Sequence, residues 1–174
     1  VSMRFVASHQ AHSDSTFHGF DTFEGLPEDW VPAWGGRAIG NASKKGEMYA
    51  AMPEMTDKRV HLFKGLIQST LPTWLREHKI PGRLFVNIDT DLYTAALFIL
   101  TTIHPYLKNG DLLYFDEFHD DLNEFAAFND YVRSYYIKDN FTVLGRAYDA
   151  YLFRCTQLER SVTNMTLNGK GPAQ

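Results

Sequence analysis

The 174-residue chain is 44% hydrophobic and 22% charged, the composition of one ordinary folded domain, which excludes a disordered, collagen-like or coiled-coil protein. Seventeen Lys and Arg against twenty-one Asp and Glu leave a net charge of −4 with no basic block, so no nucleic-acid partner is expected. The single cysteine, Cys155, cannot form a disulfide within the chain, which suits a reducing compartment, and the expected location is the cytoplasm.

Ser2 can cap a short helix over residues 2–10, and residues 16–20, rich in β-formers, predict a strand that ends at Asp21. Gly25, Pro27, Pro32, Gly35, Gly36 and Gly40 then mark a loop of the length that is usually functional, with a short helix expected over 47–52. A second strand is expected over 60–63, stopping at Gly65, and a helix over 71–78. Pro81-Gly82 breaks the chain before a compact apolar strand, 84–88, that ends at Asp89. The apolar stretch 92–107 is too short and too polar to span a membrane, so it reads as a buried helix closed by Asn109-Gly110. A strand over 112–115 ends at Asp116, with Asp120 or Asp121 placed to start the next helix. Runs 141–144 and 150–153 are joined too closely for a parallel crossover and should pair antiparallel at a sheet edge. A domain over 1–155 and a loose polar tail over 156–174 are expected. The Asn-x-Ser/Thr triplets at Asn41, Asn140 and Asn164 arise by chance often enough to carry little weight beside one cysteine.

Strands alternating with helices imply an α/β fold with a mostly parallel sheet and an antiparallel C-terminal hairpin. The strand ends at Asp21, Gly65, Asp89 and Asp116 would share one rim, where open α/β sheets bind ligands. Each acid has a plainer use as a turn former or helix cap: Asp89 or Asp91 for the helix that follows them, Asp120 or Asp121 for the next. As a set, Asp89, Asp116 and Glu117 cannot all stay ionised close together without a cation, and oxygen donors favour Mg²⁺, or Mn²⁺ or Ca²⁺, over zinc.

The blocks GFDTFEGLPEDW (19–30), FKGLIQSTLP (63–72), FVNIDTDLY (85–93) and YFDEF (114–118) resemble, in this order, the macrocin O-methyltransferase family over roughly residues 1–155. The resemblance implies an S-adenosylmethionine-dependent, divalent-metal-assisted O-methyltransferase with a Rossmann-like sheet. Its substrate would be a hydroxyl of a sugar or other small natural product. By that likeness Asp21 would accept hydrogen bonds from the cofactor ribose. The segment Gly65-Leu66-Ile67-Gln68 is similar to the adenine-binding turn of catechol O-methyltransferases, making Gly65, Ile67 and Gln68 cofactor contacts, although Gln68 at a helix start can equally be solvated. Asp89, Asp116 and Glu117 would be the metal ligands, with Glu117 standing where an amide is common. The base that takes the hydroxyl proton would be Asp91, with His119 as second candidate. Trp30, Trp34, Tyr49 and Phe118 can line a substrate pocket or simply belong to the core. In this family a first strand with a glycine-rich loop holds the methionine part of the cofactor. Val1-Ser2-Met3 look like the residues just after that loop, so the chain is expected to be a fragment whose 16–20 and 84–88 strands flank a gap.

Two other readings stand beside this one. Asp89-Thr90-Asp91 after an apolar strand, with Lys108 and Asp116, also resembles the haloacid dehalogenase phosphohydrolases, with Asp89 as nucleophile and Asp91 as acid/base. That family expects Thr or Val where this chain has Tyr93, and it does not account for the FDTFEGLP block. A non-catalytic Rossmann-like binding domain is the third. No membrane partner is expected, and homo-oligomer formation is left open.

Overall fold

In a computed structural model the described residues are 2–10, 12–35, 37–38 and 42–156. The expected tail, apart from Thr156, lies outside them, as do Asn41 and the triplet starting at Asn164. Helix α1 (Ser2–His9) leads to β1 (Phe17–Asp21), two short strands β2 (Ala33–Trp34) and β3 (Arg37–Ala38), and β4 (Val60–Lys64). Then come α2 (Ile67–Glu77), β5 (Phe85–Ile88), α3 (Tyr93–Ile103), β6 (Leu112–Phe115), α4 (Glu124–Ser134), β7 (Phe141–Ala147) and β8 (Ala150–Cys155).

The sheet is divided. β1 and β4 run parallel with Phe17 opposite Val60 and Asp21 opposite Lys64. β5 and β6 run parallel with Ile88 opposite Phe115, and the order continues β6-β8-β7 through antiparallel pairs. The anticipated hairpin is present, with an irregularity between Val143 and Gly145. Among the described residues β1 has only β4, and β5 only β6, as a strand neighbour, so each keeps one edge unpaired. β2 and β3 form a separate antiparallel pair.

The core gathers between the four-stranded sheet and α3, which packs against both α2 and α4. Leu100, Leu107, Leu113, Phe115 and Tyr131 are almost wholly enclosed. Phe115, Phe118, Phe128 and Phe153 meet at ring-centroid distances of 4.9–5.9 Å, mostly edge to face. Cys155 closes β8 as a free, fully buried thiol whose pKa burial pushes up to about 12.

Several boundaries depart from the sequence reading. α2 begins at Ile67, four residues before the expected start, and carries Pro72 inside it. The stripe Ile67, Leu71, Trp74 and Leu75 recurs at helical spacing and packs into the core, which outweighs the hydrogen bond that proline removes. Pro105 converts the end of the expected 92–107 helix into a 3₁₀ turn, His104–Tyr106. The expected helix over 47–52 is absent: Leu26 N–H donates to Glu47 O at 2.9 Å, and Met48 takes φ 61°, so this backbone is committed to a loop pairing. Gly25, at φ 83°, makes that pairing feasible, because a Cβ there would meet the Gly46 carbonyl at 2.5 Å.

Candidate functional site at the carboxylate rim

β5 ends on Ile88 and β6 on Phe115, both wholly buried, and this parallel ladder sends Asp89 and Asp116 out of the core together. The Asp116 N–H donates to Ile88 O at 3.2 Å, so the two exits are tied where they leave the sheet. The electrostatics record the crowding. Asp89 is raised above the ordinary carboxylate range chiefly by partial desolvation, and further by Asp116 and Asp21. Asp91 is raised to about 6 by desolvation, then by Asp89, Asp116 and Asp120. Glu117 is raised to about 7 by the same two causes, with Asp91 its strongest acidic neighbour. The strand-end acids Asp21, Asp89 and Asp116 therefore do share one rim, with Asp91 and Glu117 among them.

Neither Asp89 nor Asp91 caps α3. The N-cap is Leu92, and Asp91 stands outside the helix at φ 58°, in the left-handed region. Asp120 and Asp121 do not start α4 either: Asn123 is its N-cap. Their carboxylates hold the 31–35 segment instead, Asp120 Oδ1 accepting from Ala33 N–H at 3.2 Å and Asp121 Oδ2 from Gly35 N–H. The reason is burial. Asp120 is fully enclosed, where a carboxylate must find donors.

Asp21 is exposed at the end of β1, and its Oδ1 accepts the Phe23 N–H at 2.7 Å, the turn-forming use that any Asp at a strand end can have. Gly65 closes β4 at φ 138° and donates its N–H to Asp21 O at 2.9 Å, which brings the end of β4 to Asp21. Ile67 packs into the core, whereas Gln68 is exposed on the first turn of α2. Tyr114 donates its hydroxyl to Asp116 Oδ1 at 2.9 Å. His119 Nδ1 lies 3.6 Å from Asp149 Oδ1 on the β7–β8 turn. Among the aromatics, Phe118 is core, Trp30 is half-buried against Leu26, Leu92 and Ala95, and Trp34 and Tyr49 are exposed.

Among the described residues no three of His, Cys, Asp and Glu are gathered so as to hold a metal ion. Among the described residues three side-chain atoms are buried without a hydrogen-bond partner: Thr90 Oγ1, in the chain between Asp89 and Asp91, Trp30 Nε1 and His119 Nδ1. The residue that sequence reasoning missed is Glu124, 1% exposed, which accepts hydrogen bonds from the Thr90 and Glu117 backbone. Its signal was there: Glu124, Ala127, Phe128 and Tyr131 fall at i, i+3, i+4 and i+7, so an acid occupies a position on the inward stripe.

The family profile described as macrocin-O-methyltransferase (TylF) matches residues 1–149. The chain belongs to the macrocin O-methyltransferase family. Its fold is similar to that of the O-methyltransferase NovP, with TM-score 0.64 and 19% identity over 90% of this chain and 66% of that one. It is also similar to CalS11, a calicheamicin methyltransferase, with TM-score 0.56 and 23% identity over 80% of this chain and 60% of that one. The chain thus spans less than two thirds of the length of either solved structure. Comparison with curated protein sequences returned no match. A methyltransferase family with the matching α/β fold leaves the phosphohydrolase reading of Asp89 and Asp91 without support. No described helix is long and apolar enough to cross a membrane.

Proposed function

We propose that the protein is an S-adenosylmethionine-dependent O-methyltransferase, acting in the cytoplasm on a hydroxyl of a sugar or other small natural product, with help from a divalent cation. The single observation that carries this is the carboxylate rim, on which Asp89, Asp91, Asp116 and Glu117 repel one another within a chain that belongs to a methyltransferase family. The donor set fits a hard cation such as Mg²⁺: the groups are all oxygen, and their mutual repulsion is what a positive charge relieves. Asp89, Asp116 and Glu117 would hold it, after an adjustment of their side chains into one coordination sphere. Bound there, the cation would supply acidity to the acceptor hydroxyl and a fixed position for its oxygen.

The chain's own residues do the rest. Asp91, raised to about 6, can take the hydroxyl proton near neutral pH, because its basicity is matched to the operating range. His119, turned toward Asp149, is less well placed for that step. The cofactor supplies the methyl group. Asp21 retains a second carboxylate oxygen that can accept from ribose hydroxyls, and Gly65, Ile67 and Gln68, which follow β4 in the chain, are the candidates for the adenine. Thr90 Oγ1 and Trp30 Nε1, buried without partners, suit contacts to an incoming ligand.

The test is methyl transfer from S-adenosylmethionine by the full protein, with and without chelator. Activity should depend on added Mg²⁺ and vanish in Asp89→Asn and Asp116→Asn variants that keep the parental melting temperature. Near-parental activity of either variant in chelator-treated buffer overturns the metal assignment. No calorimetric binding of S-adenosylmethionine by the full protein overturns the methyltransferase reading itself.

A further inference from the structure

Glu124 opens α4 with its side chain enclosed, yet both carboxyl oxygens serve the backbone of other segments. Oε1 accepts the Thr90 N–H at 3.1 Å and Oε2 accepts the Glu117 N–H at 3.2 Å. Thr90 stands between Asp89 and Asp91, and Glu117 follows Asp116. One planar group thus bridges the two loops that carry the rim carboxylates, above the point where the β5–β6 ladder ends.

Two neighbours extend the same pattern. Asn123 donates Nδ2 to Asp120 Oδ2 at 2.7 Å and to Val31 O at 3.1 Å, and accepts the Tyr93 N–H at 3.3 Å on Oδ1. Asp120, Asn123 and Glu124 are all buried, and between them they hold the 31–33 segment, the start of α3 and both rim loops. A buried carboxyl is costly and persists only where its oxygens are used. An acid in the first turn of a helix is favourable for the helix by itself, but that benefit needs no burial and no contact with distant backbone.

The geometry points to Glu124 as a positioning residue of the candidate site, fixing the separation and aim of the Asp89–Asp91 pair against the Asp116–Glu117 pair without touching the substrate. The choice of side chain follows from the donors. Two N–H groups that converge from separate loops need two acceptor oxygens on one rigid fork. Glutamate has them, whereas glutamine has the same shape but turns an NH₂ donor toward one of the N–H groups. The inference rests on the rim being the reacting site, as proposed above.

The experiment compares the full protein with Glu124→Gln and Glu124→Ala by amide hydrogen exchange and by steady-state methyl transfer. Exchange at Thr90 and Glu117 should accelerate at least tenfold in both variants, while Leu113 and Phe115 inside β6 stay protected. In parallel, kcat should fall at least tenfold and the KM for S-adenosylmethionine should change less than twofold. Unchanged protection at Thr90 and Glu117 overturns the bridge. Uniform loss of protection through β6 in the isosteric Gln variant makes Glu124 a stability residue and overturns the positioning role, as does an unchanged kcat once the two amides are exposed. If the parent protein itself transfers no methyl group, the functional reading falls, and the exchange data still decide the bridge by themselves.

Discussion

Asp91 and Leu92 divide the entrance to α3 in an unusual way: Leu92 is the N-cap, while Asp91, one residue earlier, sits at φ 58° with its carboxyl raised to about 6. An Asp in the left-handed region costs on the order of 1 kcal/mol relative to Gly. Strain and like-charge repulsion fall on the same residue, the pattern of a side chain kept for chemistry rather than stability. Asp91→Gly should therefore raise the free energy of unfolding by about 1 kcal/mol and Asp91→Asn should at least preserve it, while both abolish methyl transfer. Denaturant melts beside activity assays check this. A destabilised, active Asp91→Asn protein would return Asp91 to a structural role.

Acidity in the rim sets a pH dependence of definite sign. Glu117 is raised from 4.5 to about 7, chiefly by burial. The folded chain binds this proton more tightly than the unfolded chain, so its favourable contribution is intact below about 4.5 and is lost as pH rises through 7. Subtracting the melting curve of Glu117→Gln from that of the parent isolates one group. The parent should lose stability relative to the variant between pH 4.5 and 7, and added Mg²⁺ should cancel part of the loss. A pH-independent difference would mean that Glu117 keeps an ordinary acidity.

The β1–β4–α2 corner responds in the opposite direction. His18 is lowered from 6.5 to about 4 by burial and by the neighbouring His61 and His78. Its Nδ1 accepts the Trp74 indole N–H at 3.0 Å, which requires that nitrogen to be unprotonated. The folded state rejects a proton that the unfolded state accepts, so stability drops as pH falls from about 6.5 to about 4. His18→Gln should flatten that limb of the stability profile and reduce stability at pH 8 through the altered ring packing. NMR titration of the His18 ring gives the direct check, with an ordinary midpoint counting against the assignment.

Unpaired strand edges predict how residues 1–174 behave in isolation. With β1 and β5 each lacking a second strand neighbour among the described residues, each presents backbone donors and acceptors along one side. Light scattering should show concentration-dependent self-association, and Phe85→Lys, at a position 48% exposed on β5, should suppress it. A strictly monomeric parent at high concentration would show that both edges are already covered.

How much of this was readable beforehand depended on whether the signal was local. Strand β6 was placed correctly at both ends, because an apolar run between Gly110 and Asp116 has one reading. The rim acids were found because strand ends in a parallel sheet converge. Proline misled in both directions: Pro72 is carried inside a helix that the core pays for, while Pro105 ends one early. The enclosure of Glu124 could be read from its place on the inward stripe of α4, but the partners of Asp120 and Glu124, namely Ala33, Thr90 and Glu117, could not, since they come from other loops that only the fold brings near.

Cys155, enclosed at the end of β8, also has a practical consequence. Its N–H donates to Asp111 O at 2.8 Å, and its sulfur, with a pKa near 12, is almost never a thiolate while the strand is in place. An alkylating reagent can react only after β8 has detached. With a single cysteine in the sequence, each labelled molecule has passed through that opening once, and the labelling rate at saturating reagent equals the opening rate. The native chain therefore carries its own unfolding clock, readable by mass spectrometry with no engineered probe.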